Sequence, residues 1–106
     1  MTAQRLYKLT ATALGVPRRA VLRDAKVGAV RWPVIQARHA AWWLARDVLG
    51  MSWRQLGRHF GESPQRIRYG VRRTTERRID CARLHAATDA ARDWMRYELG
   101  RETRAA

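Results

Sequence analysis

The sequence predicts an all-α fold: a compact helical domain with a helix-turn-helix, extended by a C-terminal helix or helices. Three observations carry this. Apolar residues recur at three- and four-residue spacing along most of the chain, the period of an amphipathic helix. Glycine and proline fall mostly at the edges of those periodic runs, several beside a serine or threonine that can cap a helix. No stretch alternates apolar and polar side chains as a half-buried strand does, and there is no internal repeat or low-complexity segment. A chain of 106 residues is enough for one small domain. The reading is a single unit over 1–106, with a core at about 3–79 and a helical tail at about 80–100.

The elements follow in order. Thr2 can cap a first helix over about 3–14, with Leu6, Leu9, Ala13 and Leu14 on one face and Gly15 closing it. Val16-Pro17 leads into a short helix over roughly 18–23, with Val21 and Leu22 as its buried pair. Residues 24–32 form a loop holding Lys26, Gly28 and Arg31. Pro33 opens a long helix that ends near Gly50. In it Val34, Ala37, Ala41, Leu44, Ala45 and Val48 make one core-facing stripe. Beyond Val71 the pattern stays helical from 74 to 100, as one helix or as two broken near Thr88-Asp89. Ile79, Ala82, Ala86, Ala90, Trp94 and Tyr97 read as its apolar stripe. Gly100 is expected to end it, and 101–106 to fray.

The most informative stretch is 50–73, GMSWRQLGRHFGESPQRIRYGVRR. Ser52 can cap a helix whose apolar face is Leu56 and Phe60, and Gly61 ends it by taking the φ > 0 conformation that a helix C-terminus needs. Ser63 caps the next helix, and Pro64 suits its first position, where no amide donor is missed. Two helices so joined read as a helix-turn-helix, whose second helix can lie in a DNA major groove. At about 100° per residue, Ile67, Val71 and Thr74 share the buried side, with Arg78 at its edge and Gly70 allowing close approach of a neighbour. Gln65, Tyr69, Arg72, Arg73 and Glu76 point away, and Arg66 and Arg68 flank the boundary.

Composition points the same way. The formal net charge is +13, from 22 Lys+Arg against 9 Asp+Glu, beyond the magnitude of about 8 that solubility ordinarily needs. A polyanion is the simplest partner: DNA, RNA or an anionic membrane surface. Lys8 and Lys26 are the only lysines. Arginine suits bidentate contact with phosphate and guanine, although a genome rich in G and C also raises its share. Gln65, Arg66 and Tyr69, nearest the helix N-terminus, are therefore the candidates for base edges, and Arg72 and Arg73 for phosphate. One cysteine, Cys81, excludes an intramolecular disulfide and fits a reducing compartment. The chain starts at Met1 with no signal peptide and contains no apolar run long enough to span a bilayer. The expectation is a soluble, cytoplasmic protein.

Residues 38–61, RHAAWWLARDVLGMSWRQLGRHFG, resemble the C-terminal duplex-binding domain of the bacterial replication initiator DnaA, whose pattern runs R-Q-x-A-x-Y-L-x-R-E and then S-x-x-x-I-G-x-x-F-G. Arg38, Ala41, Trp43, Leu44, Arg46, Asp47, Ser52, Leu56, Gly57, Phe60 and Gly61 fall in register without a gap. QRIRYGVRR at 65–73 resembles the family's T-T-V-L-H-G-V-R-K ending, and the likeness extends over roughly 6–73. It implies the Trp-repressor and DnaA C-terminal type of helix-turn-helix and binding of double-stranded DNA. The family's recognition helix opens with Asp-His-Thr-Thr. With one deletion after Gly61 the equivalent positions are Ser63, Pro64, Gln65 and Arg66, none of which matches, so the resemblance carries the fold but not the DNA sequence read. The family also places an arginine from a basic loop in the minor groove, and Lys26 and Arg31 are this chain's basic residues there. Arg38 and Arg46 match positions near the DNA backbone. The full candidate set for duplex contact is Lys26, Arg31, Arg38, Arg46, Arg54, Ser63, Gln65, Arg66, Arg68, Tyr69, Arg72 and Arg73.

No G-x-x-x-x-G-K-[ST] phosphate loop accompanies the domain, so ATP-driven origin melting is not expected. Stand-alone copies of the domain are the kind met in prophage and mobile-element clusters, and transcription control is the first reading. A replication accessory protein is the alternative, as is a basic adaptor for an acidic partner such as an RNA polymerase subunit. Cys81 and His85 have metal-ligand spacing but no further pair to complete a tetrahedral site. Ser52 and Ser63 are better used as caps than as nucleophiles, and no enzyme or cofactor is expected. The arginines are spread over several helices rather than along one amphipathic face, which argues against a membrane surface. Among the tryptophans, Trp43 matches the family's core aromatic, Trp42 is expected to be half-exposed, Trp32 can staple a helix start, and Trp53 begins the helix-turn-helix. The tail either packs beneath Trp42 and Trp43 or presents Trp94, Met95 and Leu99 to a transcription-machinery protein or a second copy. Packing is favoured.

Overall fold

The computed structural model describes residues 1–22 and 31–105. They form six helices: α1 (Ala3–Leu14), α2 (Arg18–Leu22), α3 (Trp32–Leu49), α4 (Trp53–Phe60), α5 (Pro64–Asp80) and α6 (Ala82–Ala105). The described residues contain no strand, and the fold is all-α.

Local chemistry places most helix ends. Thr2 Oγ1 accepts the Arg5 amide at 3.1 Å. The carbonyls at the end of α1 accept the amides of Gly15 and Val16. Ser52 and Gln55 form a reciprocal capping box, the Ser52 amide donating to Gln55 Oε1 at 2.9 Å and the Gln55 amide to Ser52 Oγ at 3.2 Å. Gly61, at φ 69°, turns the chain so that the Glu62 amide reaches back to Gly57 O at 2.9 Å. Ser63 then caps α5 by accepting the Arg66 amide at 3.2 Å.

α3 is the central helix, and α1, α2, α4, α5 and α6 all pack on it. One part of the core joins Leu6, Leu44, Leu56, Ile67, Val71, Ala91 and Met95 around Trp42 and Trp43. The other joins Ala11, Leu14, Val21, Val34, Ala37, Ala40 and Leu84. Because partners surround it, α3 is buried all round from His39 to Ala45. This corrects the expectation for Trp42, which is only 4 % exposed. Its indole Nε1 donates to Tyr7 Oη at 3.0 Å, which satisfies the one polar atom that burial would orphan. Trp43 lies on another side of α3, covered by the guanidinium groups of Arg78 and Arg92 at 4.3 and 5.7 Å from its ring centre.

The tail also differs from the sequence reading. The break falls at Cys81, not near Thr88-Asp89. Cys81 is extended (φ −116°, ψ 100°). Its amide still bonds to Arg77 O, while its carbonyl and Sγ accept the amides of His85 and Leu84. One residue thus ends α5 and starts α6, which folds back onto α1, α3 and α5. The face that α6 buries is Leu84, Thr88, Ala91, Met95 and Glu98. The expected stripe of Ile79, Ala82, Ala86, Ala90, Trp94 and Tyr97 faces outward, Ile79 being 81 % exposed. Thr88 and Glu98 disguised the true stripe as polar. Thr88 is satisfied by donating to Leu84 O and accepting from Arg78 Nε, and Glu98 pairs with Arg101. Gly100 does not stop the helix.

Smaller departures occur at the N-terminal end. Thr10 and Ala11, rather than Leu9 and Ala13, join Leu6 and Leu14 on the buried face of α1. Leu22 is exposed while Val21 is buried. Most of the expected loop at 24–32, including Lys26, lies outside the described residues. No described helix is long and apolar enough to cross a membrane.

Candidate nucleic-acid interface

α5 packs against α3, α4 and α6. Ile67 and Val71 meet Leu56 of α4 in the core, and Gly70 and Thr74 face α3. A Cβ on Gly70 would lie 2.5 Å from Trp42 Cε3 and 2.8 Å from His39 Cδ2, so only a glycine lets the two helices approach this closely. Thr74 turns its hydroxyl back to Gly70 O at 3.0 Å and needs no other partner. With that edge buried, geometry turns Gln65, Arg66, Arg68, Tyr69 and Arg72 outward, and all five are exposed.

A shallow groove runs between the start of α4 and α5, lined by Trp53, Gln65, Arg68, Tyr69, Val71 and Arg72. Trp53 carries two guanidinium groups against its ring, Arg46 at 4.4 Å and Arg68 at 5.6 Å. Arg72 lies over Tyr69 at 5.9 Å. Such contacts hold long cationic side chains in place without neutralising them. Arg46 also donates to Met51 O at 2.7 Å, tying the end of α3 to the α4 entrance.

Two carboxylates interrupt the basic surface. Glu62 pairs with Arg66 at 3.5 Å, and Glu76 reaches Arg72 at 3.9 Å and Arg73 at 3.5 Å. Exposed pairs of this kind contribute about 0–1 kcal/mol, so a phosphate can replace them. Arg54 and Arg68 are exposed and have no carboxylate partner among the described residues.

The structure therefore gathers Arg46, Gln65, Arg68, Tyr69 and Arg72 around one groove, with Ser63 at its head as the α5 cap, while exposed Arg66 pairs with Glu62. Arg54 is exposed in the first turn of α4. Arg73 is half-buried beside Glu76. Arg31 is exposed at the N-cap of α3. Arg38 is partly buried, and its Nε donates to Val21 O at 2.9 Å, holding the end of α2 against α3. Lys26 lies outside the described residues.

Sequence reasoning missed three residues that shape or adjoin this surface. Trp53 is the platform for Arg46 and Arg68. Arg77 stacks over Trp32 at 4.2 Å, joining the far half of α5 to the start of α3. Both are cation–π contacts that cross between helices, and no spacing rule announces them. His39, 8 % exposed, sits beneath the surface with its ring against Trp32, Trp42 and Tyr69. Burial, then the charges of Arg73, Arg66 and Arg77, push its pKa down to about 4, so it is neutral near pH 7.

The Cys81–His85 pair has other employment. Cys81 joins two helices, and His85 Nε2 meets Asp89 Oδ2 at 2.9 Å. Among the described residues no group of His, Cys, Asp or Glu could hold a metal ion. No protein-family model matches the chain, and no curated protein matches it. The likeness to the DnaA duplex-binding domain rests on the residues quoted above.

Proposed function

We propose that this protein binds double-stranded DNA, with α4 and α5 acting as a helix-turn-helix and α5 docking in the major groove, and that it regulates transcription of prophage or mobile-element genes. One observation carries the reading. The first three turns of α5 present exposed Gln65, Arg66, Arg68, Tyr69 and Arg72, while the opposite edge is locked into α3 and α4 through Ile67, Gly70 and Val71. A rigid helix with a Gln/Arg/Tyr face suits base-edge reading by Gln65 and Arg66 near its N-terminus. Arg46, Arg54, Arg68 and Arg72 surround that face at positions suited to phosphate.

The test is fluorescence polarisation with labelled duplexes over a salt series. Logarithmic affinity should fall linearly with logarithmic salt, with a slope of about −4 for four to five neutralised phosphates. On a site selected from random duplexes, Gln65→Ala or Arg66→Ala should lose about 1–3 kcal/mol and relax the preference. Arg68→Ala should weaken all duplexes alike. Equal loss on every sequence for Gln65→Ala and Arg66→Ala would remove base reading from α5, and a salt-independent affinity would remove the phosphate contacts.

A further inference from the structure

We propose that a second groove, between α1 and α6, is a docking site for an acidic segment of a partner protein that carries an aromatic or aliphatic side chain. Its lining is Arg5, Lys8, Leu9, Thr12, Arg18 and Trp94. Three are cations and none is a carboxylate. Arg18 is held at the groove by its Nε, which donates to Thr12 Oγ1 at 3.2 Å. Trp94 is 47 % exposed and stacks at 6.1 Å on Tyr97, itself 54 % exposed. These rings are left outside because α6 buries its Leu84–Met95 face instead. Leu9 and Trp94 offer apolar surface beside the three cations. That combination fits a ligand with one apolar anchor between acidic residues.

Charge selects among the possible occupants. A second copy of this chain is poorly matched, because its net charge is +13 with only 9 Asp+Glu, and five of these, Asp47, Glu62, Glu76, Asp89 and Glu98, already pair with arginines. A duplex keeps its bases stacked and presents phosphates, so it would use the cations and leave Trp94 idle. An acidic peptide uses both. The site shares no lining residue with the groove along α5, so it stands independently of the DNA reading.

The experiment uses the full chain and a short fluorescein-labelled peptide of Asp and Glu around a central Phe, read by anisotropy. Binding is expected with a dissociation constant at or below about 100 µM. Lys8→Glu and Trp94→Gln should each weaken it about tenfold or more, as should replacing the peptide's Phe by Ser. Arg68→Glu, an equal change in net charge on the other groove, should change it by less than about twofold. Helical circular dichroism and melting check each variant, and Arg5→Glu takes the place of Lys8→Glu should that variant unfold. Equal loss in Arg68→Glu would reduce the interaction to bulk charge. Indifference to Trp94→Gln and to the Phe-to-Ser change would do the same. No binding at millimolar peptide, or a peptide-blind groove whose Lys8→Glu variant instead loses duplex affinity, would overturn the proposal.

Discussion

Gly70→Ala is the sharpest test of how α5 is held. The added Cβ would sit 2.5 Å from Trp42 Cε3, 2.7 Å from Cζ3 and 2.8 Å from His39 Cδ2. Neither ring can step aside cheaply. Trp42 is 4 % exposed and tethered through Nε1 to Tyr7 Oη, and His39 is 8 % exposed between aromatic neighbours. Either α5 retreats or the indole tilts and its hydrogen bond is strained. Overpacking of this kind costs about 1–3 kcal/mol, and the lost hydrogen bond adds about 1 kcal/mol. Alanine's better helix propensity returns about 1 kcal/mol. The net loss is about 2 kcal/mol, a fall in Tm of about 8–15 °C for a domain of this size. Thermal melting by circular dichroism measures it. A Tm equal to or above that of the parent protein would mean that helix propensity wins and that α3 and α5 are not in close contact. The rigid-helix argument for the interface would fall with it.

Three further outcomes follow from the same geometry. His39 has its pKa lowered from 6.5 to about 4, so the unfolded chain takes up this proton first and stability falls as pH drops through that window. The loss should reach about 2 kcal/mol at pH 5 relative to pH 7.5. Urea denaturation of the parent and of His39→Gln should show that slope in the parent alone, and parallel pH profiles would contradict the assignment. Arg78→Ala removes the bond to Thr88, the pair with Asp89 and the cover of Trp43. It should destabilise by about 1–2 kcal/mol, since Arg92 still holds Asp89; an unchanged urea midpoint would show that α6 does not depend on it. Leu56→Ala empties a fully buried position between α4 and α5 and should lower stability by about 2–5 kcal/mol, with an unchanged Tm counting against Leu56 as a core residue.

Much of the site could be read beforehand because it depends on neighbours within a few residues. The outward Gln65 and Tyr69, and the inward Ile67 and Val71, follow from helical rotation once Ser63-Pro64 sets the start of α5. The groove's stacking did not follow. Arg46, Arg68 and Trp53 come from three helices, and Arg38 is committed to Val21 O, 17 residues away. α6 was read on the wrong face because periodicity counts apolar residues. Its buried stripe instead carries Thr88 and Glu98, polar residues that such a count passes over: Thr88 accepts from Arg78 of the neighbouring helix, and Glu98 pairs with Arg101 on its own.

By itself the chain determined its helical character, its charge and most of its helix boundaries. Thr2, Ser52 and Ser63 capping, and the left-handed turns at Gly15, Gly50 and Gly61, are contacts or torsions that span no more than a turn. Tertiary packing alone decided that both Trp42 and Trp43 are buried, that Cys81 divides the last two helices, and that Trp94 and Tyr97 stay outside. Which of two faces of similar hydrophobicity is covered, and where α5 gives way to α6, is settled by which neighbour arrives from a distant part of the chain.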